Sequence, residues 1–286
     1  MVDLGIISTL TLTGAKLSIM TQSLAYRAIR AQKIKREYKK RRRIEINIQI
    51  TKAEATMLSG AEPSEESLWR AIKHKDILRE ARYFLWMTFH NAYMVGSNWL
   101  RPGFVPEYRE RSECKQCHKT ESMEHILVEC DAPGQAVIWA LAEEPWLKQR
   151  RTWPKPTLGT ILVSAGLKLR NKNRDDEAGD TRLYWIIMSE SVHIIWKIRC
   201  ERVIREEPES ITPAEAGRRW KHTIALRADL EKKMANPKYG KKALNRDLVK
   251  STWKGIFDNE NNIPDPPVAG ETGVLVGSLW YDEEAC

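Results

Sequence analysis

Three cysteines and a histidine stand close enough in the stretch CKQCHKTESMEHILVEC to share one ion. Two residues separate Cys114 from Cys117, seven separate Cys117 from His125, and four separate His125 from Cys130. Three thiolates and one imidazole form a tetrahedral Cys3His set with no position left for water, the arrangement of a structural rather than a catalytic zinc ion. A two-residue gap lets both sulfurs of a turn point at one ion. His125 and Cys130 can converge on it from one turn of helix and its end. The competing reading, three buried cysteines that are neighbours by chance, is disfavoured by the compact spacing. His118 adjoins Cys117, which already occupies that side of the turn, so it is read as exposed. Glu121 and Glu124, between the ligand pairs, are expected to be solvated rather than bonded to His125.

No other group reads as a complete active site. Asp175, Asp176 and Glu177 sit in a polar stretch, and Asp282, Glu283 and Glu284 near the last residue, so neither set has a rigid frame to tune its protonation. His90 and His193 fall within apolar helical patterns and are expected to be packing residues. No glycine-rich phosphate loop occurs, and Cys200 and Cys286 receive no role.

The second feature is charge. The formal net charge is +9, and residues 27–43 alone carry Arg27, Arg30, Lys33, Lys35, Arg36, Lys39, Lys40, Arg41, Arg42 and Arg43 against the single acid Glu37. The remaining residues balance at 37 basic and 37 acidic, so the excess is assigned to this segment. Such a run can neutralise phosphates, with salt-dependent affinity and little sequence preference. A solvated helix face and a nuclear import address in KKRRR are the plainer readings. Tyr26 and Tyr38 are expected to pack rather than to stack on bases.

The elements that must position these residues read as mainly α. With 42% hydrophobic residues, 11 of them Trp, the chain can fill a core. No apolar run approaches the roughly 18 residues of a membrane span, and the start lacks the basic flank of a secretion signal. Five cysteines are too few for a disulfide scaffold and point to a reducing compartment. One long helix is expected from residue 22 to near Gly60, although Ile44, Ile46, Ile48 and Ile50 also alternate like a strand. Ser64 should cap the next helix and Asp76 the one after, an apolar helix over 77–95 ended by Gly96. A helix through Val137–Leu141 follows the cysteines, and a Trp- and Pro-rich connection occupies 145–156. Helical spacing returns from Trp185 to Val203. Thr212, Pro213 and Glu215 open a helix to about Ala235, and a last helix runs over 242–257. The expected organisation is a basic helical segment at 1–60, a helical zinc-binding domain at 61–169 with a small Cys3His zinc-knuckle insert, a linker at 170–181, a helical region at 182–260, and an irregular tail at 261–286.

The cysteine stretch, with its flanking words SLWRAIKHKDILREARYFLWMTFHNAYMVGSNWL and ESMEHILVECDAPGQAVIWALA, resembles the zinc-binding region that follows reverse transcriptase in non-LTR retrotransposons. It looks closest to the fungal versions, in which a ribonuclease H domain comes first, and LTLTGAKLSIMTQSLAYRAIR looks like the stretch after that ribonuclease. The likeness extends to TRLYWIIMSESVHIIWKIRCERVI and GVLVGSLWYDEEAC. The resemblance implies zinc on Cys114, Cys117, His125 and Cys130. The polymerase motif Tyr-x-Asp-Asp and the ribonuclease carboxylates are absent, and Trp280-Tyr281-Asp282-Glu283 is not that motif. The expectation is therefore a non-catalytic, intracellular and preferentially nuclear remnant of a retrotransposon polyprotein that binds RNA or DNA, with a separate polymerase or nuclease chain as a conceivable partner. The alternative is a zinc-stabilised protein-interaction module.

Overall fold

The computed structural model describes residues 21–37, 42–148, 153–169, 178–204 and 211–257. Its helices are α1 (Gln22–Glu37), α2 (Arg42–Ser59), α3 (Glu65–Ile72), α4 (Arg79–Phe89), α5 (Pro106–Arg109), α6 (Gln135–Lys148), α7 (Leu158–Val163), α8 (Ala178–Ile204), α9 (Pro213–Met234) and α10 (Arg246–Trp253). Among the described residues there is no strand, only one isolated antiparallel bridge, Glu113 to Thr120. The fold is mainly α, as the periodicity implied. The irregular tail assigned to 261–286 lies outside the described residues.

The chain divides into two units, Met1–Glu45 and Ile46–Cys286. In the first, Thr21 caps α1 by accepting the Leu24 amide at 3.2 Å. Tyr26 is exposed rather than packed, with the Arg30 guanidinium 5.9 Å above its ring centre.

In the second unit, residues 46–50 lie in α2 rather than in a strand. Helical spacing places Ile48, Thr51 and Ala55 together on its buried side, while Ile46 is about half exposed. Asn47 shares that side and donates through Nδ2 to the carbonyls of Thr88 (3.3 Å) and Phe89 (2.9 Å). Both carbonyls belong to the last turn of α4, where helical acceptors run out of intrahelical donors; that of Thr88 also accepts the Asn91 amide at 2.9 Å. Asn91 then turns into the left-handed region at φ 47, so α4 stops at Phe89, short of the expected residue 95.

The core gathers around α8. Its hydrophobic and polar residues alike are buried on every side, among them Tyr184, Ile187, Met188, Val192 and Ile195, as a helix enclosed by others requires. Helices α4, α6, α7, α9 and α10 pack against it. Thr212 caps α9 through the Glu215 amide (3.2 Å), and Ser64 caps α3 through the Ser67 amide (3.2 Å), both as the sequence indicated.

Three expectations are corrected. Asp76 does not cap α4; its carboxylate meets the Arg182 guanidinium at 3.2 Å. Arg182 also pairs with Glu231 at 2.7 Å, and Glu231 in turn holds Arg227 and the Trp253 indole, each at 2.9 Å. Helix α6 runs through Pro145 to Lys148, with Trp146 fully buried beyond the proline. Helix α8 starts at Ala178, inside the expected linker, and Thr181 Oγ1 accepts the Leu169 amide at 2.9 Å, so the two ends of that segment meet.

Candidate metal centre

A short hairpin holds the first ligand pair. The Cys114 amide donates to the Lys119 carbonyl and the His118 amide to the Cys114 carbonyl, both at 2.8 Å. Closing so tight a turn needs one left-handed residue, and His118 takes that conformation at φ 54. Its ring points outward, 79% exposed, 3.2 Å from the Glu113 carboxylate. It stands apart from the ligands, as expected.

The second pair comes from the next turn of chain. Ser122 Oγ accepts the His125 amide at 2.9 Å, after which residues His125–Glu129 form a π-turn and the Cys130 amide closes onto the His125 carbonyl at 2.8 Å. In an ordinary α-helix, residues five apart point about 140° away from each other. The wider turn brings His125 and Cys130 to the same side.

The ligand atoms of Cys114, Cys117, His125 and Cys130 all lie within 4.8 Å of one another. Cys130 Sγ is 3.8 Å from Cys114 Sγ and 3.7 Å from Cys117 Sγ. That is far too long for a disulfide, whose sulfurs bond at about 2.05 Å. It matches the edge of a tetrahedron with metal–sulfur bonds of about 2.3 Å, which is about 3.8 Å. His125 is buried, yet neither ring nitrogen has a hydrogen-bond partner, a costly state unless something else fills the role. The Asp131 amide donates to Cys117 Sγ at 3.3 Å. Burial, reinforced by the neighbouring sulfurs, pushes the Cys130 thiol up to about 12. These donors fit one metal ion.

No protein family, curated protein or solved structure matches this chain. The four ligands and their supports therefore carry the functional reading.

Those supports include one that the sequence concealed. Glu121 is 5% exposed, not solvated, and forms an ion pair with Arg199 of α8, itself 7% exposed. Glu124 is half-buried. The Glu121 amide donates to the Ser112 carbonyl at 2.8 Å, closing the hairpin. From the other side, the Trp139 indole of α6 donates to the Leu127 carbonyl at 2.8 Å, fixing the π-turn. The four donor residues are thus anchored to two core helices, α6 and α8.

The basic segment is only partly described. Arg27 and Arg30 are exposed on α1. Lys33, Lys35 and Arg36 belong to α1, and Arg42 and Arg43 to α2, while Lys39, Lys40 and Arg41 lie outside the described residues, as does Tyr38. His90 packs on Trp86 and Trp69, with ring centres 4.2 and 5.2 Å away. His193 lies 6.0 Å from the Phe84 ring, and burial lowers its pKa to about 3. Both behave as packing residues. Among the described residues, no helix is long and apolar enough to cross a membrane.

Proposed function

We propose that this protein holds one structural zinc ion on Cys114, Cys117, His125 and Cys130, and that the zinc-braced helical body is a non-catalytic binder of RNA or DNA. The observation that carries the metal reading is the buried His125 ring, both nitrogens unpartnered, facing three sulfurs at tetrahedral spacing. Thiolate and imidazole donors in a closed set of four suit zinc above oxygen-seeking magnesium or calcium. The ion would cross-link the hairpin to the π-turn, contributing folding free energy on the order of 10 kcal/mol as in small zinc sites.

Nucleic-acid binding rests on the +9 segment at 27–43, of which Arg27 and Arg30 are exposed. The resemblance to the zinc region behind retrotransposon reverse transcriptases agrees with this role and with a polyprotein origin. The run from Lys39 to Arg43 would also serve as a nuclear import address. The alternative of a protein-interaction module needs the Trp-rich helices to present an apolar face, but of the described tryptophans only Trp86 is exposed.

A salt titration of binding to a single-stranded and a double-stranded oligonucleotide tests the reading. Phosphate binding gives an affinity that falls linearly in log–log form with salt, and charge reversal at Arg27 and Arg30 lowers that slope by about 1 for each phosphate no longer neutralised. A salt-independent affinity, or a slope unchanged by the reversal, removes this segment from the function.

A further inference from the structure

A second basic surface is formed by residues 232–257, where the charge total of the chain hides it. Residues 232–257 carry eight basic side chains, from Lys232 to Lys254, against Asp247 alone. The 29 residues that follow, 258–286, carry seven acidic side chains and no basic one. The two stretches cancel in the overall balance, which is why the excess seemed confined to 27–43.

The basic stretch is shaped. The end of α9, the 3-10 turn Pro237–Lys242 and α10 enclose a groove of about 900 Å³. Exposed Lys232, Arg246, Lys250 and Lys254 line it, and its apolar lining includes Val249, Trp253 and Phe257. Asn245 caps α10 by accepting two amides at 2.9 Å, and the buried Trp253 indole is bonded to Glu231, so one wall is rigid. A site with a cationic rim and an apolar floor fits an acidic segment that also carries large apolar side chains.

The chain supplies such a segment. Phe257 lines the groove, and the acidic stretch begins at the next residue. Beyond it, GVLVGSLWY supplies apolar side chains and Asp282, Glu283 and Glu284 a cluster of negative charge. Attachment at the groove itself makes the encounter intramolecular, so the segment competes at a high effective concentration. We propose that the groove between α9 and α10 is a docking site for the protein's own acidic segment 258–286. This inference depends neither on the metal nor on the 27–43 segment.

Zero-length carbodiimide cross-linking of the full chain, read by peptide mass spectrometry, tests it directly. The expected links join Asp282, Glu283 or Glu284 to Lys232, Lys250 or Lys254, and they weaken several-fold when ionic strength is raised to about 0.5 M. Arg246→Glu, which removes no cross-linkable amine, should lower the yield of these links several-fold. The exposed pair Lys52–Glu62, 2.7 Å apart, is an internal control whose link should survive that variant. Tail acids linked chiefly to Lys33, Lys35, Lys39 or Lys40 would overturn the proposal. So would links found only between differently labelled copies, or no tail link when the control link forms.

Discussion

Glu121, in the hairpin of the metal ligands, and Arg199, in α8, form an ion pair buried on both sides. The carboxylate lies four residues from both Cys117 and His125, so the guanidinium holds the short stretch between the two ligand pairs against the core. A charge left alone in such a place is expensive, and removing one partner of a buried pair typically costs about 3–5 kcal/mol. Arg199→Leu should destabilise the chain by about that amount in urea unfolding. The double variant Glu121→Leu with Arg199→Leu should recover most of the loss, because neither charge then remains buried. Additive losses would mean that the pair is not coupled.

Gly96 makes the hairpin's close approach to the loop after α4 feasible. Its φ of 50° already disfavours other residues, and a Cβ there would overlap the Glu121 carbonyl oxygen. Gly96→Ala should therefore cost about 3 kcal/mol or more, in the range reserved for named structural conflicts. Gly60, at φ 74 with nothing within 4 Å, is the matched control. Gly60→Ala should cost only the left-handed strain, about 1 kcal/mol. Equal effects on the melting temperature would show that backbone strain, not the overlap, decides.

Glu190 of α8 gives the folded protein a pH dependence. Burial raises its carboxyl to about 7, against the partial relief of Arg227 and Lys197 and with the added repulsion of Glu80 and Glu231. Its Oε1 has no hydrogen-bond partner. An acid whose folded pKa is raised binds more protons in the folded state, so its contribution falls as pH climbs from about 4.5 through about 7. The lost stability is on the order of 3 kcal/mol above that window. Glu190→Gln should be more stable than the parent at pH 8 and nearly equal to it at pH 4.5. A constant difference across that range would contradict a buried, titrating carboxyl.

The Cys3His cluster was legible in the sequence because its signal is local: two short gaps and a histidine bring the four donors together within 17 positions. The caps at Ser64 and Thr212 were legible for the same reason. Glu121 was not, because in KTESME it looks like any solvated acid and its partner lies 78 residues away. Asp76 was misread for a like reason, its position before a helix suggesting a cap when its partner Arg182 is 106 residues away. Pro145 suggested a connection, yet the buried Trp146 carries α6 past it. The second basic surface could have been found by counting charge in windows, since residues 232–254 and the acidic stretch after them are each visible in the sequence.

His118 and Cys117 are neighbours in sequence with opposite roles. His118→Ala should leave metal content unchanged, since its exposed ring meets Glu113 rather than the sulfurs. Loss of metal in that variant would show that His118 is a ligand in place of one of the four.

The most direct measurement is the metal content of protein purified without chelator, by mass spectrometry under native conditions, for the intact chain and for Cys117→Ser. One zinc ion per chain in the first, none in the second, and faster amide exchange confined mainly to residues 110–140 are the expected results. A chain that carries no zinc, or a variant that keeps it, would contradict the assignment of Cys114, Cys117, His125 and Cys130 as the zinc site.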